Sequence, residues 1–269
     1  ADENLFINPE TGQPYPYVEA WRSGLSTGAP GAVAMLHMAH ADHGQLDWAD
    51  NFSFAIDLAE NGFEVAPRLN SISQRMAGFT DMEETGVAAG YLFDETGEAW
   101  PVGHVLTNPD YADSLRLIAA DWRNFYEGDL ARAIVAAVNE APRPGYLSEE
   151  DLAAYEPVKV SALCSPYRDH QICSAPPPAS GGIAVGAILG MLEQFDMSAN
   201  GPETADGWAL FIEASRLAYA DRDHYVGDTD FVDVPVEGLL DRDYLASRAQ
   251  LINPQQAIAE VSHGTPPGA

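Results

Sequence analysis

The sequence predicts a helix-rich α+β fold, incomplete as a unit, on three observations. Apolar residues recur at helical spacing in successive segments from Gly31 to Asp221. Strand-like alternation is confined to one stretch, Val158 to Ala175. A sheet that small exposes its edges unless strands from elsewhere complete it.

The opening, Asn8 to Pro30, is rich in Gly and Pro and reads as irregular loop. Gly31 to His43 is the first helix, stopped by Gly44. Asp47 caps a second, in which Trp48, Phe52, Ala55, Ile56 and Ala59 share a face and Gly62 ends the run. A short hairpin is expected around Asp94-Glu95-Thr96-Gly97, flanked by Tyr91, Phe93 and Trp100. Asn108-Pro109 opens the clearest helix, a capping residue followed by proline at the first helical position. Tyr111, Leu115, Ile118 and Trp122 then form one apolar stripe. Another helix runs from Asp129 to Glu140 with Leu130, Ile134, Ala137 and Val138 inward. Ser148 to Asp151 is a capping-box pattern. Two more helices are expected near Gly182 to Phe195 and Thr204 to Asp221, the second with Trp208, Phe211, Ile212 and Ser215 at helical spacing.

Between them, Val158, Val160 and Ala162 alternate with polar Lys159 and Ser161, and Ile172 lies beyond a turn at Tyr167-Arg168-Asp169-His170. If the hairpin turns about Arg168–Asp169, the only two cysteines, Cys164 and Cys173, face each other across the strands. That register permits a cross-strand disulfide in an oxidising compartment, with buried free thiols as the alternative.

Charge is the unusual bulk feature. Asp and Glu number 41 against 13 Lys and Arg, a formal charge of −28, and Lys159 is the sole lysine. Such a surface repels phosphate backbones and anionic headgroups, so nucleic-acid and membrane-surface partners are disfavoured. It suits a protein kept soluble in high salt, where screening removes self-repulsion. A hydrophobic fraction of 46% supports a sizeable core. No stretch reaches the roughly 18 apolar residues of a membrane span. No leader pattern opens the chain, as expected if a secretion signal was removed or never belonged to this segment.

Candidate chemistry is sparse. His37, His40 and His43 rotate around a helix and do not converge easily on one ion, so polar histidines on an amphipathic helix are favoured over metal. Asp221, Asp223, Asp228, Asp230 and Asp233 break the calcium-loop pattern and read as a solvated turn. The glycines at 24, 28 and 31 do not spell a nucleotide fingerprint. Ser180 in Pro176-Pro177-Pro178-Ala179-Ser180-Gly181-Gly182 reads as a helix cap, since no base lies nearby to make it a nucleophile.

Several segments, in order from about Gly24 to Ala249, resemble the large subunit of gamma-glutamyltransferases. Gly28-Ala29-Pro30-Gly31, followed by His40, Gly44 and Trp48, resembles the family's G-x-P-G turn and the helix after it. Ile56 to Phe63 is similar to its A-I-x-L-A-x-x-G-F helix end, and Tyr126-Glu127-Gly128 with Leu130-Ala131 to its F-Y-x-G-x-x-A run. Leu147 to Tyr155, Pro176 to Gly182 and Tyr219-Ala220-Asp221-Arg222, with Gly227-Asp228 and Phe231-Val232 beyond, resemble further family segments.

The resemblance implies an N-terminal-nucleophile hydrolase, a four-layered αββα sandwich made by self-cleavage of a precursor. The threonine exposed at the head of the small subunit attacks a gamma-glutamyl amide, glutathione being the usual donor, and its own α-amino group serves as base. It implies no metal or organic cofactor, a periplasmic or secreted location, and the small catalytic subunit as partner. Residues 1–269 are then one large-subunit segment. The family's N-terminal portion, with the arginine that clamps the substrate α-carboxylate, has no counterpart here. Nor does its T-[ST]-H motif, because Pro266 after Thr265 does not fit it. Asp169 stands where the family's hairpin turn has glycine. No catalytic, substrate-binding or metal residue is therefore carried over, and the segment is expected to be inert alone and to self-associate through an exposed docking face. A related acylase acting on glutaryl-type or cephalosporin side chains, and a catalytically dead binding module, are the alternatives.

Overall fold

Local chemistry sets most of the helix boundaries. The structure is a computed structural model that describes residues 4–77, 86–140 and 144–269, with the side chains of 86–88 left aside. The chain divides into two compact units, Ala1–Pro157 and Val158–Ala269.

The first unit contains α1 (Tyr17–Trp21), α2 (Ala32–His43), α3 (Ser53–Asn61), α4 (Pro67–Met76), α5 (Gly86–Leu92), α6 (Pro109–Ala120), α7 (Gly128–Glu140) and α8 (Glu149–Ala153). A two-residue ladder pairs β1 (Phe63–Glu64) with β2 (Val105–Leu106). Gly44 closes α2 and Gly62, at φ 87°, closes α3 in the left-handed region that glycine enters without penalty. The Asn108 side chain accepts from the Tyr111 amide at the start of α6. Ser148 and Asp151 complete the reciprocal capping box of α8. Ala34, Tyr126, Ala131, Val138, Leu147 and Leu152 form the core of this unit. Tyr126 ties the entry to α2 into it, donating to the Pro30 carbonyl at 2.7 Å and accepting from the Ala34 amide at 3.0 Å.

Several expectations are corrected here. The opening loop contains α1 and a 3₁₀ turn, Gly24–Ser26. Trp48–Phe52 is a 3₁₀ helix feeding α3, and the Asp47 side chain makes no capping bond. The 94–97 turn is closed by Asp94, whose Oδ1 accepts from the Thr96 and Glu98 amides, but the strands reduce to a single Phe93–Ala99 bridge and Tyr91 belongs to α5. Tyr111 points outward, and Ala112 joins Leu115 and Ile118 on the buried face of α6. In α7 Ala131 is buried where Ala137 is exposed. In α6 and α7 packing, and not spacing alone, decides which apolar residues face inward.

In the second unit β3 (Leu163–Tyr167) pairs antiparallel with β4 (His170–Ser174). Val158 and Val160, expected to begin the strand, lie outside it, since β3 starts at Leu163, and Val158 is 79% exposed. The left-handed residue of the turn is Arg168, at φ 53°, and not Asp169. α9 (Gly181–Leu192) packs on β3, and α10 (Ala205–Tyr225), α11 (Val236–Leu239) and α12 (Arg242–Ala249) surround it. Close approach depends on glycine. A Cβ on Gly186 would lie 2.8 Å from Leu240 and 2.9 Å from Ser165, and one on Gly190 2.5 Å from Leu245. Met191, Leu210, Ala214, Leu217 and Leu245 lie in the core these helices share.

Candidate functional site

The buried stripe of α10 carries the most chemistry. It runs Leu210, Glu213, Ala214, Leu217, Ala218 and Asp221, so two carboxylates occupy positions that helical period assigns to apolar residues. Buried carboxylates require partners, and both have them. Asp221 accepts from the Tyr244 hydroxyl at 2.9 Å, from Arg248 Nη2 at 3.0 Å and from the Gly264 amide at 2.8 Å. Arg248 is 6% exposed, and its Nη2 also donates to the Ser262 carbonyl at 2.8 Å. Burial, and then the hydrogen bond and charge of Asp221, push the Tyr244 phenol well above its ordinary range. Glu213 accepts from Arg216 at 2.8 and 3.0 Å and from the Ile258 amide at 3.3 Å. Each carboxylate thus joins an arginine to a backbone amide of the chain after α12.

Asp221 is therefore no part of a solvated turn, which corrects the expectation for that residue. Asp228 keeps the expected role, its Oδ1 accepting from the Asp230 amide in an exposed turn. Among the described residues no three His, Cys, Asp or Glu side chains converge as metal ligands. The histidine run is absorbed by aromatic packing: His37 stacks on Trp122 at 4.9 Å, His37 and His40 both meet Trp48, and His43 is exposed. Burial, then the charges of Arg123 and His40, lower the His37 pKa against the opposing pull of Asp121.

Ser180 occupies the cap position of α9, yet its hydroxyl caps nothing. Cys164 lies directly opposite Cys173, and a disulfide joins them with Cα atoms 4.1 Å apart. Thr265 is exposed beside fully buried Pro266, inside the polypeptide and so without the free α-amino group that would make it its own base.

In two clefts among the described residues the carboxylates are already engaged. In the first unit one is bordered by Leu25, Tyr146 and Asp151, and Asp151 is engaged in the Ser148 cap. In the second a smaller one presents Ser165, Glu193 and Arg242; there Glu193 accepts the Arg168 amide at 2.5 Å and pairs with Arg242 at 3.7 Å. What sequence reasoning missed was the pair Glu213 and Asp221. The available signal was two acids eight residues apart within an apolar helical stripe, with few arginines in the chain to match them.

The outer face of α10 is apolar as well. Trp208, Phe211, Ile212 and Tyr219 are all between 44% and 52% exposed. The spacing noted in the sequence is genuine, but it marks an uncovered face and not the core. No helix among the described residues is long and apolar enough to cross a membrane.

Comparison with known proteins places these features. The family model described as gamma-glutamyltranspeptidase matches residues 1–267. The glutathione hydrolase proenzyme of Pseudomonas sp. (strain A14) is 35% identical over 246 residues, covering 90% of this chain and 42% of that protein. An acylase ACY 1 proenzyme of Pseudomonas sp. (strain SE83) is 36% identical over 230 residues, covering 85% of this chain and 40% of that one. The crystal structure of Helicobacter pylori gamma-glutamyltranspeptidase superposes with a TM-score of 0.89 at 28% identity, covering 98% of this chain and 75% of that chain. The chain spans about two fifths of the length of the curated relatives it matches.

Proposed function

The chain belongs to the gamma-glutamyltranspeptidase family, and from that premise we propose that it is a large-subunit segment of an enzyme transferring gamma-glutamyl groups from glutathione and related amides to water or amino acids. Residues 1–269 act in this reading as one scaffold segment of a self-cleaving precursor, with an α+β architecture belonging to an N-terminal-nucleophile hydrolase. The nucleophile is the threonine that heads the small subunit after cleavage. Its hydroxyl attacks the gamma-carbonyl, its α-amino group takes the proton, and the leaving amine departs before water or an amino acid receives the acyl group. The observation that carries this reading is the family match along residues 1–267.

The small subunit is the partner, and two surfaces favour one: the outer face of α10 and the exposed Val158 and Val160. The disulfide fits a periplasmic or secreted location. The test is to express the full-length precursor beside residues 1–269 alone and to offer gamma-glutamyl and glutaryl amides. We expect self-cleavage and gamma-glutamyl turnover by the precursor and none by the segment. Turnover by the isolated segment, or a full-length protein that processes itself yet ignores gamma-glutamyl amides, overturns the proposal.

A second reading, an acylase, is favoured by the similarity to the ACY 1 proenzyme. A site that pairs the donor's α-amino and α-carboxylate groups rejects the glutaryl analogue by a factor on the order of 10⁴, whereas an acylase does not.

A further inference from the structure

The stretch between Asn253 and Pro267 has almost no regular structure of its own, yet several of its backbone groups are held by side chains. The partners come from α10 and α12. Asp206, Glu213 and Asp221 stand seven and eight residues apart, about two helical turns each, on one side of α10. Asp206 accepts from the Gln255 side chain at 3.0 Å, Glu213 from the Ile258 amide and Asp221 from the Gly264 amide. The arm therefore runs alongside α10 in the same direction, held at three successive points. Arginines take the carbonyls between: Arg216 that of Ile258 at 2.9 Å, and Arg248 that of Ser262. Tyr225 donates to the Gly264 carbonyl at 2.8 Å. Beyond this point Pro266 is fully buried, and the bare backbone of Gly238 lies against the Pro267 carbonyl, where no Cβ would fit.

The three grips are unequal. Asp206 holds a side chain at the exposed surface, whereas Asp221 is 3% exposed and holds a backbone amide within a network of a phenol and a guanidinium. Charged hydrogen bonds in a dry site are the strong ones, and loss of a partner strands what remains. Fixing Gly264 fixes the course of the chain into Pro266 and Pro267, which pack against the fold. A group that must be cut at one bond needs its flanking chain held in one geometry, since small misplacement costs rate steeply.

We propose that Asp221, backed by Tyr244 and Arg248, is the positioning residue that locks the 262–267 arm, and that through this arm it sets the rate of self-cleavage in the precursor. The second half rests on the large-subunit reading above; the first half does not.

The test uses Asp221→Asn, which keeps shape and removes the charge, in two settings. In the 269-residue chain, hydrogen exchange at the Gly264 amide should quicken at least about tenfold, with Ala187 and Met191 in α9 unchanged. In the full-length precursor, self-cleavage should slow by about the same factor, while kcat/KM of the fraction that does mature stays within about twofold of wild type. That split separates an arm-positioning residue from one that merely stabilises the fold or touches substrate. Tyr244→Phe deletes one hydroxyl with no change of charge and serves if the first variant does not fold; about threefold faster exchange at Gly264 is expected. Unchanged exchange at Gly264 in the folded variants overturns the lock. Wild-type cleavage rates with a loosened arm overturn its role in processing. A wild-type precursor that never cleaves itself defeats the large-subunit reading and the processing half with it, and exchange at Gly264 then decides the lock alone.

Discussion

Tyr244 sits where α12 meets α10, 8% exposed, with its hydroxyl on a buried carboxylate. In the unfolded chain this phenol titrates near its ordinary value of 10; in the fold it holds its proton well beyond that. Above pH 10 the unfolded state therefore sheds a proton that the native state keeps, and unfolding is favoured. The stabilisation is complete below pH 10 and is lost as pH rises through the folded value. Melting temperature should be flat from about pH 7 to 9 and fall beyond pH 10, with Tyr244→Phe less stable at neutrality but showing the shallower alkaline slope. Tyr91 and Tyr126, raised chiefly by burial, leave a residual slope in that variant. An equal slope in both proteins would refute the assignment. Asp151 works in the other direction, because the Ser148 amide and then its hydroxyl hold the carboxyl below its usual range. That stabilisation is present above the unfolded value and fades as pH falls through the folded one. Ser148→Ala should raise the Asp151 pKa by carboxyl NMR and cost about 1 kcal/mol. Arg168 carries backbone strain of the opposite kind, a long side chain at φ 53°. Glycine there should gain about 1 kcal/mol in denaturant melts.

At the scale of elements, α10 shows how far sequence pattern reaches and where it stops. Its existence was legible from spacing, which placed it near Thr204 to Asp221; the structure makes Thr204 its cap, accepting from the Gly207 amide, and carries the helix on to Tyr225. Its orientation was not. Trp208, Phe211 and Ile212 make the more hydrophobic stripe, so transfer free energy alone assigns them inward, but the face against α9 is made of Leu210, Ala214, Leu217 and Ala218. That face mixes leucine with alanine and packs in the core with α9, and the stripe of large apolar residues is left outside. The same limit hid α11 and α12, which are too short to show a period, and the start of β3, which lies at Leu163 although the alternation begins at Val158. The register of the hairpin, by contrast, was readable, since a two-residue turn at Arg168–Asp169 sets Cys164 opposite Cys173. Of the candidate site almost nothing was legible, because Asp221 is distinguished only by Tyr244, Arg248 and Gly264, all more than twenty residues away. Two substitutions separate the faces of α10. Leu217→Ala should cost about 2–5 kcal/mol in urea unfolding. Trp208→Glu should cost under about 0.5 kcal/mol and reduce self-association in sedimentation velocity. A clean wild-type monomer across concentrations would remove the case for an uncovered docking face.

The whole molecule carries a charge of −28 on 269 residues, with 13 basic side chains to offset 41 acidic ones. Most of those acids are exposed, and two arginines pair with buried carboxylates, Arg216 with Glu213 and Arg248 with Asp221, while Arg116 meets Glu60 and Asp113 at the surface. Folding gathers the remaining carboxylates into a smaller volume, so self-repulsion opposes the native state more than the extended chain. Salt at about 1 M shortens the screening length to about 3 Å, less than most carboxylate separations on a surface, whereas at 0.1 M it is about 10 Å and neighbours still repel. The buried Asp221–Arg248 pair is shielded from this screening, so salt relieves repulsion without dissolving the ion pair that holds the arm. Melting temperature should therefore rise by about 5 °C or more between 0.1 and 2 M KCl. Sodium and potassium chloride should act alike if screening is the cause, while sulfate at equal ionic strength should add a further increment through exclusion from the surface. A melting temperature that is flat or falls with chloride would mean that the acidic surface is already relieved by local geometry, and that its excess carboxylates cost the fold little.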